Sequence, residues 1–477
     1  MHSFVSYLYY LLRAGVQLAI PAALVCAVIL AVCYAVFRRQ GRRFPWGKAV
    51  CALLLVGWAV VTVFVTLLRG EPGVRMWNLQ LFLAWREAYQ RFTLQLWLNV
   101  LLNIALFVPP GILLPLLWKP FRRWYAMLLD GFGCSLFIEL MQLLTARGMC
   151  DVDDLFTNTL GAMLGWCVSM LFLSLREKSR VWKRYCALPA AFALALSAIF
   201  ASYALKPYGN LRDAAVTASD LREVNWSLAF TPEDGAASAP VYRTEALDNA
   251  GADHFAADFA AAHGVEFPDV DYYDDTALYM DHSTGDFLNV TLHDGTWEYW
   301  ISDNTAPVFD LSPQDISEEL LREALGGLGF SVPDGASFTL KPSGGEGFYD
   351  AVFTAEMLPT EGGFLHGTLT CDLKTRDDGG AELNRLENCI VPLTPVREET
   401  ILSPAQAVDA LRAGRSFDSR QLAEFGGETI EILSCTLDCL SDSKGFYQPV
   451  YRLALVLPGG TRSGAAVTFT DYVPALA

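Results

Sequence analysis

The sequence is poor in the side chains that carry most enzyme chemistry. Histidine occurs six times in 477 residues. His254, His263, His282, His293 and His366 stand singly, without the paired spacing that metal sites use, which argues against metal use in the second half of the chain. No nucleophile elbow, phosphate-cradling Gly-Lys loop, zinc helix or dinucleotide glycine turn occurs, so the common hydrolase, NTPase and dehydrogenase classes are excluded. Negative charge is scarce at first: residues 1–205 hold 8 Asp+Glu against 19 Lys+Arg, whereas residues 206–477 hold 44 against 16. The acidic half speaks against nucleic acid as a partner. A basic apolar half joined to an acidic one reads as a membrane domain carrying a soluble domain.

What the first half does have is length of apolar run. Crossing a bilayer takes about twenty apolar residues, and six runs qualify: 15–37, 49–68, 96–117, 124–144, 155–175 and 185–205. Basic residues concentrate in alternate loops: Arg38, Arg39, Arg42, Arg43 and Lys48; Lys119, Arg122 and Arg123; and Arg176, Lys178, Arg180, Lys183 and Arg184. The positive-inside rule puts those loops in the cytoplasm. The N-terminus, the Arg147–Asp154 loop and everything past 205 then lie outside. The 69–95 loop breaks the rule, with four arginines among Trp77, Trp85 and Tyr89; an interfacial belt explains it better than a polyanion grip. The aromatic-rich segment 3–12 suits the membrane interface. No basic stretch precedes the first run, which therefore reads as a retained span.

Polar residues inside such runs cost several kcal/mol each and mark functional sites by default. They gather between Asn99 and Gly165. Asn99 and Asn103 lie one turn apart on the third span, before Pro109-Pro110-Gly111, where a kink or short unwound stretch is expected. Glu139 and Gln142 share a face of the fourth span, with Asp130 about 13 Å along the same helix at 1.5 Å per residue, near enough for a proton path. Arg147, just past that span, is the natural partner for Glu139. Asp151 or Asp153 can cap the fifth span, a job that needs only one carboxylate where Asp151, Asp153 and Asp154 supply three. Asp154, Asn158, Gly161 and Gly165 then fall on one stripe that faces a close neighbour, expected to be the fourth span. Interhelical hydrogen bonds alone would account for the asparagines. The candidate ligand-binding set is Asn103, Glu139, Gln142, Arg147, Asp151, Asp153, Asp154 and Asn158. No cofactor is called for, although Glu139, Asp153 and Asp154 have the chemistry to hold a divalent cation.

At these residues the chain resembles the VanZ-like membrane family, named for a glycopeptide (teicoplanin) resistance protein. The likeness lies in Asn103 with Leu106-Phe107-Val108-Pro109-Pro110-Gly111, in Glu139 with Gln142, in Arg147 with Asp151, Asp153 and Asp154, and in Asn158, Gly161 and Gly165. It covers about residues 50–175. Pro110 departs from the family's Pro-hydrophobic-Gly pattern. The resemblance implies a multi-pass protein of the bacterial cell envelope and membrane lipids as neighbours. It implies no settled reaction.

The expected fold is an all-α bundle of about six transmembrane helices over 1–205, then a soluble α+β domain. Residues 206–243 read as linker, and 244–310 as a helix stopped by Gly264 followed by a β-meander. Two related helix-plus-strands units follow, 311–400 and 401–477. Each opens on Leu-Ser-Pro, at Leu311 and Leu402, and each carries a Gly-Phe-Tyr motif, at Gly347 and Gly445. Cys371–Cys389 and Cys435–Cys439 are the expected disulfides among the three pairings open to four cysteines. Such units loosely resemble outer regulatory domains of sensor kinases.

Three functions fit. The first is an envelope binding protein whose membrane site engages a lipid-linked cell-wall precursor or a glycopeptide-related ligand while the outer domain engages protein or wall. The second is an enzyme acting on a lipid headgroup through Glu139, Asp153 and Asp154. The third is an extracytoplasmic sensor for a partner kinase. The missing histidine lowers the enzyme reading, since histidine is the commonest proton shuttle, and the first function is preferred.

Overall fold

The computed structural model describes residues 28, 31–32, 34–68, 73, 75–211, 218–273, 275–302, 306–343, 347–457 and 467–476. The expected span at 15–37 lies outside these residues except near its end, and so does the segment at 3–12. The chain divides into two compact units, Met1–Lys206 and Pro207–Ala477.

Among the described residues of the first unit, five helices have the length and apolar character of membrane spans. They are α1 (Trp46–Val63, continued as a π-helix, Phe64–Leu68), α3 (Leu94–Leu117), α4 (Trp124–Thr145), α5 (Val152–Arg176) and α6 (Trp182–Ala204). A short helix, α2 (Leu83–Arg91), precedes α3, and strand β1 (Met76–Asn78) pairs in parallel with β2 (Met149–Asp151). Among the described residues of the 69–95 loop, β1 and α2 are built into the unit. Trp85 and Phe92 pack edge-on against Trp97 of α3, and Phe92 against Phe200 of α6.

No unwound stretch interrupts α3: the helix runs through Pro109, Pro110 and Pro115. Pro110 has no N–H to give the Leu106 carbonyl four residues back. The Trp58 indole of α1 donates to that carbonyl at 2.6 Å, so the acceptor freed by proline is satisfied from a neighbouring helix. The glycine stripe of α5 meets α3 rather than α4. A Cβ on Gly161 would lie 2.0 Å from the Ile104 carbonyl oxygen, and one on Gly165 2.2 Å from that of Val108. Gly111 of α3 is equally tight against the Ala162 carbonyl. Only glycine lets these two backbones approach so closely.

The second unit starts earlier than a linker at 206–243 allows, because that stretch holds β3 (Asn225–Leu228) and β4 (Ala237–Arg243). Next come α7 (Asn249–His263), capped by Asp248 and ended by Gly264 at φ +68°, and the antiparallel run β5 (Asp269–Tyr273), β6 (Thr276–Met280), β7 (Phe287–Thr291) and β8 (Trp297–Trp300). After β9 (Val308–Phe309), Ser312-Pro313 opens only a 3-10 turn, and it is Ser317 that caps α8 (Glu318–Gly327). Strands β10 (Ser337–Pro342), β11 (Phe348–Thr360), β12 (Gly363–Thr375), β13 (Ala381–Asn388) and β14 (Val391–Ile401) follow. Ser403 caps α9 (Pro404–Arg412) in a capping box with Gln406. A one-turn helix, α10 (Ser419–Leu422), leads to β15 (Thr429–Ser441), β16 (Phe446–Leu457) and β17 (Val467–Pro474). Thus α8 precedes the meander β10–β11–β12 and α9 precedes β15–β16–β17, and each middle strand begins after a left-handed glycine, Gly347 (φ +85°) or Gly445 (φ +79°). β4 pairs with both β14 and β16, and β12 pairs with β14, so one continuous sheet serves two separate cores.

Neither expected disulfide forms; all four of these cysteines are free. Cys371 stands opposite Leu386, whereas the Cys389 N–H binds the Thr368 carbonyl, three residues away from Cys371. That separation is about 10 Å at 3.3 Å per strand residue. Cys435 and Cys439 lie four apart on β15, about 13 Å by the same measure, and a disulfide needs Cα atoms within about 7 Å.

Candidate functional site

The eight residues singled out in the sequence all fall at the end of the helix bundle where β1 and β2 pair, but they do not do one job. Asp151 is the N-cap of α5: its Oδ1 accepts the Asp153 N–H at 2.8 Å and the Asn78 side-chain amide at 3.1 Å. Burial raises the Asp151 pKa, against the lowering effect of those two donors. Asp153, 1% exposed, caps a different helix. Its two oxygens accept the N–H groups of Phe82 and Ala84 at the start of α2, at 2.7 Å for Ala84. Phe82, the N-cap position of α2, has φ +65° and its side chain makes no capping bond.

Gln142 and Arg147 close the other end of a helix. Gln142 donates to the Thr66 carbonyl at 3.2 Å, and Arg147 reaches the Leu67 carbonyl at 3.5 Å, both in the π-helical tail of α1. Those carbonyls belong to the last described turn of their helix, where side-chain donors commonly serve terminal carbonyls. Arg147 makes no ion pair among the described residues. The expected Arg147–Glu139 pair does not form because the guanidinium is turned toward α1.

Four residues remain. Glu139, buried to 1% exposure, accepts the Asp151 backbone N–H through Oε2 at 2.8 Å. Asp154 accepts the Asn103 amide through Oδ1 at 2.5 Å, joining α5 to α3. Asn158 donates to the Ser135 hydroxyl at 2.9 Å, and Ser135 to the Asp154 carbonyl at 3.2 Å, joining α5 to α4. Asp151 and Asp154 lie within Coulombic reach of Glu139. Among the described residues, two acceptors, Asn158 Oδ1 and Gln142 Oε1, are buried without a partner. Asn99, one turn before Asn103, is exposed.

Asp130 serves other surroundings. It lines a cavity of 330 Å³ among apolar groups of α1, α3 and α4, including Leu55, Trp58, Phe107, Leu114 and Met127. Asn78 and Ser135 are the participants that sequence reading missed. Asn78 carries no local signal, because it reaches the site only through the parallel β1–β2 pairing. Ser135 was detectable, since it lies four residues before Glu139 and so on the same helical face.

Five membrane-length helices closed over a polar, carboxylate-bearing end define a multi-pass membrane protein. Its family is visible in the same segment: residues 49–198 match the VanZ/LLP1 family model, and this part of the chain is a VanZ-like domain. The match reaches beyond the expected 50–175 to take in most of α6. It ties the membrane unit to a family linked to glycopeptide resistance. No curated protein matches the chain. Among solved structures, an uncharacterized protein from Eubacterium rectale ATCC 33656 matches at 12% identity over 54% of this chain and 90% of its own, with a TM-score of 0.30.

Proposed function

We propose that the protein binds a glycopeptide-related or lipid-linked cell-wall ligand at the polar end of its membrane unit and so contributes to glycopeptide tolerance of a bacterial envelope. The observation that carries this is a surplus of acceptors. Among the described residues, Glu139 and Asp154 each accept through one oxygen, and Asn158 Oδ1 and Gln142 Oε1 are buried with no donor. The Asn103 amide is directed to Asp154, and Arg147 turns one N–H to the Leu67 carbonyl. Buried acceptors without donors are costly, so a ligand that supplies donors gains most from this site.

Sugar hydroxyls, peptide N–H groups and amines supply donors, whereas a phosphodiester brings only acceptors. This favours a binding protein over an enzyme that grips a phosphate headgroup directly. Such an enzyme would first need a divalent cation between Glu139 and Asp154. The basic residues of the segment 38–48 and of the loops following α3 and α5 support a cytoplasmic side there, and hence an extracytoplasmic second unit available to wall or envelope proteins. A phosphatase reporter fused after the last residue would be active in intact cells; activity confined to a cytoplasmic reporter overturns that placement.

The binding site is tested with Glu139→Gln and Asp154→Asn. Both keep shape and both weaken the acceptors. The expected result is normal membrane abundance and thermal stability with lost glycopeptide tolerance. Abundant, stable variants with unchanged susceptibility would sink the proposal.

A further inference from the structure

Unit two gathers three metal-ligating side chains that are scattered in the sequence. His366 lies on β12 where that strand leaves β13 and pairs with β14, at His366↔Val391. Asp438 and Cys439 are adjacent on β15. One ring nitrogen, one carboxylate oxygen and the thiol sulfur lie within 4.8 Å of one another. His366 Nε2 is 3.1 Å from Asp438 Oδ1, and the two side chains are 14% and 10% exposed. Cys439 is buried.

We infer that this cluster is a transition-metal site of the zinc class, with His366, Asp438 and Cys439 as its protein ligands. Tetrahedral zinc takes nitrogen and oxygen at about 2.0–2.2 Å and sulfur at about 2.3 Å, which sets ligand-to-ligand separations of about 3.3–3.8 Å. The cluster needs to contract by about 1 Å from its 4.8 Å span to reach that geometry, a shift that rotamer adjustment supplies. A mixed nitrogen, oxygen and thiolate set selects zinc-like ions over calcium or magnesium, which prefer oxygen alone.

The surroundings fit. Arg452 Nη1 is 3.5 Å from Asp438 Oδ2, the oxygen that does not face His366, while Oδ1 accepts the Cys439 N–H at 2.8 Å and keeps its second lone pair for the metal. The same guanidinium is 2.6 Å from Glu356, and that second carboxylate offsets its repulsion of a cation. Ligating carboxylates are commonly held in place by an outer partner, here the Arg452 ion pair. His366 Nδ1 is buried without a hydrogen-bond partner, so the imidazole is not committed on both sides. Burial raises the Cys439 thiol pKa, and the adjacent Asp438 carboxylate adds to the effect. The metal must therefore displace a proton: the S–H bond breaks, the S–metal bond forms, and the proton leaves to water. Three protein ligands leave a fourth position for water. Bound metal would tie β12 to β15 and so link the two cores of this unit.

The test uses the full chain, purified in detergent and stripped with a chelator, then titrated with Co²⁺ as an optical stand-in for zinc. The expected result is a thiolate-to-cobalt charge-transfer band that saturates at one equivalent and is displaced by Zn²⁺. The band is lost in Cys439→Ser, weakened at least tenfold in affinity in His366→Gln, and unchanged in Cys435→Ser. Binding weakens as pH falls, because protons compete for the thiolate. No saturable band in the wild type overturns the inference, which makes the test independent of whether the variants fold. A band that survives Cys439→Ser overturns it as well.

Discussion

The Asp153 carboxylate accepts the N–H of Ala84, sixty-nine residues earlier in the chain, at 2.7 Å and so caps the start of α2. A side chain at the start of one membrane span thereby fixes the entrance to the short helix before another. This also sorts the three aspartates, since Asp151 caps α5, Asp153 caps α2 and Asp154 alone is spare.

Asp153→Ala should therefore destabilise the membrane unit without touching the ligand surface. Loss of an N-cap costs about 0.5–2 kcal/mol. A lowered melting temperature in detergent, with partial recovery in Asp153→Asn, is the expected result. An unchanged melting temperature for the alanine variant would count against the capping role.

Close approach of α3 and α5 predicts that Gly161→Ala is harmful. Its methyl would stand 2.0 Å from the Ile104 carbonyl oxygen, whereas a methyl on Gly133 meets nothing within 4 Å. Overpacking of this kind costs about 1–3 kcal/mol. Comparing thermal stability of Gly161→Ala and Gly133→Ala checks it, and equal stability would refute the tight crossing.

Where the second unit begins also has a measurable consequence. β4 lies between β14 and β16, and β3 pairs with β15. A fragment spanning 207–477 should unfold cooperatively, while one spanning 244–477, deprived of both strands, should give poorly dispersed amide spectra. Two equally well-folded fragments would show that β3 and β4 are dispensable.

His293 supplies a pH signature. Its Nε2 lies 3.0 Å from Asp294 Oδ2, and its Nδ1 is 2.6 Å from Asp275 Oδ2 but too oblique for a good hydrogen bond. Burial by itself lowers the imidazole pKa; the two carboxylates overcome this and raise it from 6.5 to about 9. A raised folded-state pKa stabilises fully below the unfolded value and the effect fades as pH rises through the folded one. His293→Asn should therefore cost most stability below pH 6.5 and progressively less toward pH 9, read from urea midpoints of the 207–477 fragment. A cost independent of pH would show that the imidazolium carries no charge-dependent role.

The sequence by itself determined the parts of this protein that depend on local chemistry. Apolar run length fixed the five described spans to within a few residues, because the hydrophobic thickness of a bilayer is read segment by segment. Polar residues within those runs gather at one end of the bundle, since each must be offset by a partner or a function. Tertiary structure alone decided which partner. Helical spacing put Gly161 and Asp154 on one stripe but could not say that α3, not α4, faces it. The local rule for proline allowed a kink or an unwound stretch in α3; the helix runs on, and Trp58 of another helix takes up the Leu106 carbonyl. Cysteine spacing suggested two disulfides that strand register forbids. Arg147 turns to α1 because the tertiary packing brings the Leu67 carbonyl of the π-helical tail beside it. Each of these outcomes depends on groups far apart in the chain, and spacing along a sequence measures only the distance within one element.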